Sequence, residues 1–374
     1  MKYGKTSDYQ GIRGLLTLEL AVFVLIGWLS TNIVLAQDED LNVISGQQGK
    51  TIWMQYTDAP NALYHHLMLE SYSLLDQREQ QIATLETRDD WKQRQQKVRE
   101  ILQRIVGPFP DRTPLNPVIT GTLKKPGYTM EKIIFESRPG FHVTAALFLP
   151  ENRQGRTPAI LYTPGHSATG FRTGQRTIVN LVRKGFIVFA IDPVGQGERL
   201  QYYDPKVGVS RIGSPTHEHS YPGAQCFLSG SSMARYEIWD GIRAIDYLIS
   251  RSEVDPDRIG IHGVSGGGTQ SAYIAAFDDR ILAAAPSNYI TSFRRLIESI
   301  GPQDAEQNFY HGLAEGIDHA DLLEVRAPKP ALVMATTRDF FSIQGVRETV
   351  AEARRIYEAY EASENLETVE DDLG

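Results

Sequence analysis

Between Arg258 and Gln270 the chain reads Arg-Ile-Gly-Ile-His-Gly-Val-Ser-Gly-Gly-Gly-Thr-Gln, and this run restricts the fold more than any other stretch. Gly263-Val264-Ser265-Gly266-Gly267 fits the G-x-S-x-G pattern of a nucleophile elbow, a sharp strand-to-helix turn. A serine can stand on such a turn only if the positions two before and two after it carry no side chain, because the crossing backbones leave no room. The turn lifts the Ser265 hydroxyl clear of the sheet and leaves the Gly266 N–H at a helix N-terminus, free to receive an oxyanion. The flanks agree. Ile259 and Ile261 make a short apolar strand before the turn, and residues 271–277 are Ala-rich and helix-forming after it. The bland alternative is a glycine-rich turn with an incidental serine.

The 374 residues are enough for one large core, or one core plus a small appendage. The chain is 41% hydrophobic and 22% charged, without repeats or low-complexity tracts, so it reads as globular. A net charge of −8 and the lack of a basic patch with interleaved aromatics argue against nucleic acid as a partner. The single cysteine, Cys226, excludes an internal disulfide framework.

Residues 1–36 are of another kind. Lys2, Lys5 and Arg13 precede an uncharged run from Leu20 to Ala36, which ends Val34-Leu35-Ala36 and gives way to Asp38-Glu39-Asp40. This is the pattern of a signal peptide cleaved after Ala36, with an uncleaved membrane anchor as the alternative. Either way the folded part is expected to work outside the cytoplasm, secreted or periplasmic.

Residues 37–107 read as a helical N-terminal extension. Thr87 and Asp90 form a capping box, Trp91, Val98, Ile101, Leu102 and Ile105 share one helical face, and Gly107-Pro108 stops the helix. From residue 108 to 374 the period changes. Strands are expected over 132–136, 142–149, 159–163, 186–192, 281–285 and 330–335, with a last one over 365–370. Helices are expected over 175–184, 234–250 and 346–360. The alternation predicts an α/β fold, a mostly parallel central sheet with helices on both faces. Residues 193–233 and 291–324 break the rhythm as long segments leaving strand C-termini, where such sheets place their ligands.

An elbow serine needs a base, an orienting acid and oxyanion donors, in the chain order serine, acid, histidine. Asp339, just past the strand expected at 330–335, is the acid; capping the next helix is its structural alternative. The Thr163-Pro164-Gly165-His166-Ser167 loop offers a second oxyanion donor through the His166 N–H, with Gly266 as the first. None of the nine histidines follows Asp339, so the base is expected after the last strand, beyond Gly374, with the domain C-terminally incomplete; an acidic tail over 361–374 is the other reading. His217 and His219 are candidates for the pocket lining. They lack a third ligand at diagnostic spacing, so no metal is expected and solvated loop histidines are favoured. Glu198 and Arg199 are expected to border the pocket as a charge pair.

With Ser265, Asp339, the Gly165-His166 loop and Asp192–Arg199 assembled, residues 108–374 resemble the α/β-hydrolase superfamily. More narrowly, they resemble exported hydrolases of the acetyl xylan esterase-like group, relatives of the prolyl oligopeptidase type. The resemblance implies a serine carboxylic-ester hydrolase with Ser265 as nucleophile, Asp339 as triad acid, and Gly266 with His166 as oxyanion hole. It implies an acetyl or related ester on a polysaccharide or oligosaccharide as substrate, and no cofactor. A serine peptidase of the same fold and a non-catalytic binder are the alternatives.

Overall fold

A computed structural model describes residues 59–372 apart from 300 and 302; the expected export segment lies outside the described residues. The chain divides into two units, Met1–Leu67 and Met68–Gly374, and the second carries the sheet and the elbow. Among the described residues no helix is long and apolar enough to cross a membrane.

Helix α1 (Ala62–Ala83) is followed by α2 (Arg88–Val106). The Thr87 capping box starts α2: the Thr87 N–H donates to Asp90 Oδ2 at 2.8 Å and the Asp90 N–H to Thr87 Oγ1 at 3.2 Å. The five apolar residues of its expected face are all buried, and Gly107 follows the helix as its C-cap.

Next come β1 (Val118–Lys125), β2 (Tyr128–Arg138), β3 (Phe141–Pro150), β4 (Thr157–Thr163), α3 (Gln175–Arg183) and β5 (Ile187–Ile191). A small hairpin, β6 (Tyr203–Asp204) with β7 (Val209–Ser210), leads to α4 (Pro215–Leu228) and α5 (Met233–Ser250). The chain closes with β8 (Val254–Val264), α6 (Gly266–Phe277), β9 (Ile281–Ser287), α7 (Phe293–Ser299), α8 (His319–Glu324), β10 (Ala331–Thr336), α9 (Ile343–Ala359) and β11 (Leu366–Asp371).

Nine of these strands form one sheet in the order β1-β2-β3-β5-β4-β8-β9-β10-β11. The pairings are antiparallel from β1 to β5 and parallel from β5 to β11. This is the α/β architecture that the alternation predicts. Central β5 is buried at all five positions, as a strand covered on both faces must be, whereas β8 alternates, with Ile259 and Ile261 in the core. Strand β1 is not among the strands that the sequence predicts. Its residues, Val-Ile-Thr-Gly-Thr-Leu-Lys-Lys, show no apolar alternation, because as an edge strand it is exposed almost throughout.

The segment 193–233 is not a loop throughout, as its polar sequence suggests: it contains β6, β7 and α4. Pro222 and Gly223 inside α4 disguise the helix. Gly223 is there for packing, since a Cβ on it would lie 2.2 Å from the Ala305 Cβ in the second long segment. The two segments therefore meet.

Asp318 and His319 open α8, and burial moves them in opposite directions, Asp318 up to about 6 and His319 down to about 3. His319 has a folded value below its unfolded one of 6.5, so the unfolded chain takes the extra proton and stability falls as pH drops through that range. Asp318 has a folded value above its unfolded one of 3.8, so the folded chain takes the extra proton and stability returns as pH drops from about 6 to 3.8. The two slopes, each about 1.4 kcal/mol per pH unit, cancel where they overlap. Asp318→Asn keeps an acceptor for the Phe293 and His319 N–H groups while removing the compensating slope. In urea unfolding it is expected to lose about 1.4 kcal/mol relative to wild type for each pH unit between about pH 6 and 4. Parallel stability curves for the two proteins would refute this account.

Candidate active site

Strand β8 ends in the elbow. Ser265 stands between β8 and α6 with φ 58° and ψ −123°, a conformation unfavourable for any residue with a side chain. Its neighbours hold it there: a Cβ on Gly263 would lie 2.4 Å from the Thr163 carbonyl oxygen, and one on Gly267 only 2.0 Å from the same atom. Ser265 is half-buried, and the Gly266 N–H opens the first turn of α6, where no intrahelical acceptor exists for it.

Backbone ties fix the strand that carries Asp339 relative to Ser265. The Ser265 N–H donates to Ser287 O at 2.9 Å, and the N–H of Asn288, the residue after Ser287, donates to Met334 O at 2.8 Å. Asn288, at φ 53°, turns its side-chain amide to Asp339 Oδ2 at 2.7 Å and to Thr336 Oγ1 at 3.2 Å. The half-buried Asp339 carboxylate is thus anchored to the strand end that also holds Ser265. Among the described residues no histidine bonds Asp339. The end of β11 lies beside this loop, with the Thr337 N–H donating to Asp371 O at 2.9 Å.

The Gly165-His166 loop crosses the elbow, since a Cβ on Gly165 would lie 3.3 Å from the Ser265 Cβ. The His166 ring covers Gly266, with its Cε1 2.9 Å from where a Gly266 Cβ would be. His166 Nε2 lies 2.7 Å from Glu306 Oε1 and 3.2 Å from His219 Nδ1.

His219 is not a solvated loop residue. It is buried on α4, its Nε2–H donates to Val194 O at 2.7 Å, and its Nδ1 is 3.1 Å from Glu306 Oε2. Burial alone would lower its pKa, but the Glu306 and Glu237 carboxylates outweigh that and raise it to about 10. Glu306 is wholly buried as well; burial pushes its carboxyl up, and the His219 and His166 rings hold it well below the usual range. His217, two residues earlier, lies at the opening turn of α4 and is exposed. The sequence pairs the two histidines, yet they belong to different surroundings, because helix positions two apart do not share a face.

Glu198 and Arg199 also part company. Exposed Glu198 lies 3.7 Å from Arg172, whereas buried Arg199 meets Asp240 at 2.8 Å and donates to Asp192 O at 2.9 Å. Glu306, Asp304 and Asn288 were missed by sequence reasoning. Only the length of the 291–324 segment pointed towards the first two.

The profile of the acetyl xylan esterase (AXE1) family matches residues 122–313, which take in the elbow, the Gly165-His166 loop and Glu306. The chain belongs to this family. That makes it a carbohydrate esterase by family, a carboxylic-ester hydrolase. The Bacillus subtilis (strain 168) protein "Putative hydrolase YtaP" is 25% identical over 277 residues, covering 69% of this chain and 86% of its own. Among solved structures, Methylesterase BT1017 superposes with a TM-score of 0.65 at 24% identity, over 81% of this chain and 64% of that one. A glucuronoyl esterase from Solibacter usitatus gives 0.55 at 15% identity, over 76% and 89%. At these identities the two structures testify to the α/β-hydrolase fold. The family match stops short of Asp339, whose position rests on the strand ties described above.

Proposed function

We propose that this family member is an exported serine carboxylesterase that removes acetyl or related acyl groups from a polysaccharide or oligosaccharide through an acyl-enzyme on Ser265. The observation that carries the reading is the strained Ser265 on its β8–α6 turn, half-exposed beside the free Gly266 N–H. The hydroxyl attacks the ester carbonyl carbon, and its proton passes to an imidazole. The Gly266 and His166 backbone N–H groups receive the negative charge on the carbonyl oxygen. The imidazole then returns the proton to the departing sugar oxygen, and water, activated the same way, frees the acid. Asp339, held at the end of β10 by the Asn288 amide, orients that imidazole. His166 is a poorer base, since its Nε2 is engaged by Glu306.

Export rests on residues 1–36, and the carbohydrate ester on the family. Treatment with a fluorophosphonate probe followed by peptide mapping is expected to place the adduct on Ser265. Labelling of another residue, or none under conditions that label a control serine esterase, would overturn the acyl-enzyme. Acetylated xylan is expected to be hydrolysed faster than glucuronoyl or feruloyl esters or proline peptides, and a peptide preference would move the reading to the peptidase of the same fold.

A further inference from the structure

The joint between the two long segments, beside the elbow, has the donor set of a transition-metal site. We propose that His166 Nε2, His219 Nδ1 and the Glu306 carboxylate together bind a divalent cation of the zinc class. The three donors converge: 3.2 Å separates the two nitrogens, 2.7 Å His166 Nε2 from Glu306 Oε1, and 3.1 Å His219 Nδ1 from Glu306 Oε2. Ligands about 2.0–2.1 Å from a tetrahedral zinc stand roughly 3.3 Å apart, so little rearrangement separates this cluster from a coordination shell.

Several features distinguish it from a chance contact. His219 presents Nδ1 to the cluster while its other ring nitrogen donates to Val194 O, the outer bond that fixes ring and tautomer in metal-binding histidines. Glu306 Oε2 is buried with no aligned hydrogen-bond donor, although His219 Nδ1 is 3.1 Å away. The ring of His219 packs close to the Gly195 backbone, where an added Cβ would stand 3.3 Å from its Cδ2. His166 is partly exposed, which leaves a way in from solvent, and Asp304 Oδ2, 3.8 Å from His166 Nε2, flanks the open side. Two imidazoles and a carboxylate suit zinc and its neighbours better than the oxygen-seeking magnesium or calcium. The site pins the second long segment to the first directly above Gly266.

The proposal stands independently of the hydrolase reading, because its test needs no turnover. The protein, without a polyhistidine tag, is stripped with chelator and titrated with zinc against a chromophoric competitor, and separately with cobalt(II). One equivalent of zinc is expected to bind, with proton release as it displaces the protons shared by the cluster. Cobalt is expected to show the intense visible bands of a four- or five-coordinate ion. Glu306→Gln and His166→Ala are expected to weaken zinc binding by at least about tenfold. His166→Ala, at the exposed rim, spares the His219–Glu306 pair and keeps the test open should Glu306→Gln misfold. His65→Ala is expected to leave binding unchanged. No stoichiometric uptake by the wild-type protein, a weak six-coordinate cobalt spectrum, or affinity unaltered in folded His166→Ala would each overturn the site.

Discussion

Ser265→Ala is expected to lower turnover of p-nitrophenyl acetate by at least about 10⁴-fold, with the circular dichroism spectrum and melting temperature unchanged. The size follows from the proposed chemistry: without the hydroxyl no acyl-enzyme would form, and what survives would be binding and oxyanion stabilisation of direct water attack. Folding is spared because alanine has no more bulk than serine, and no hydrogen bond of the Ser265 hydroxyl supports the elbow. The ties that hold the turn are backbone ones, from the Ser265 N–H to Ser287 O and from the Thr269 N–H to Ser265 O. Hydrolysis within threefold of wild type would remove Ser265 from the mechanism. It would leave the fold and the family assignment untouched.

Asp321→Ala is expected to cost about 3–5 kcal/mol of stability, the range found when one partner of a buried ion pair is deleted. The Asp321 side chain is fully buried between Arg78 of α1, whose Nε donates to Oδ2 at 2.9 Å, and Arg94 of α2. It also accepts the Asp318 N–H at 2.9 Å, closing the cap of α8. Truncation strands two buried guanidiniums and opens the cap at once, with only Glu352 left to Arg78. For a unit of this size the loss corresponds to a fall in melting temperature of about 5–8 °C. Asp321→Asn, which retains the cap acceptor, should lie between. A shift under about 2 °C for the alanine variant would show that the two helices do not depend on this carboxylate.

The elbow was legible because its demands are local: two glycines, a serine and flanking periods fall within a dozen residues. The position of Asp339 just past β10 was legible for a different reason, since the strand pattern ended there. The α2 helix was written in its capping box and in a five-residue apolar face. What escaped the sequence has physical causes as well. Strand β1 lies at an edge and carries no alternation, and α4 contains a proline and a glycine that normally break helices. His219 and Glu306 come from segments about ninety residues apart and are brought together by packing of Gly223 on Ala305, which no local pattern encodes. Glu198 and Arg199 looked like a pair only because they are adjacent. Their partners, Arg172 and Asp240, lie apart.

The hydrogen bonds from Ser265 to Ser287 and from Asn288 to Met334 couple the tips of three successive parallel strands without using any side chain. The proposed nucleophile and acid are therefore mounted on a backbone-braced frame, whereas residues 193–233 and 291–324 hang from strand ends as exchangeable superstructure. A lineage can remodel that superstructure to admit a bulkier alcohol or a different acyl group and keep the reacting atoms in register. Laboratory selection for new substrates should accordingly concentrate its diversity in those two segments.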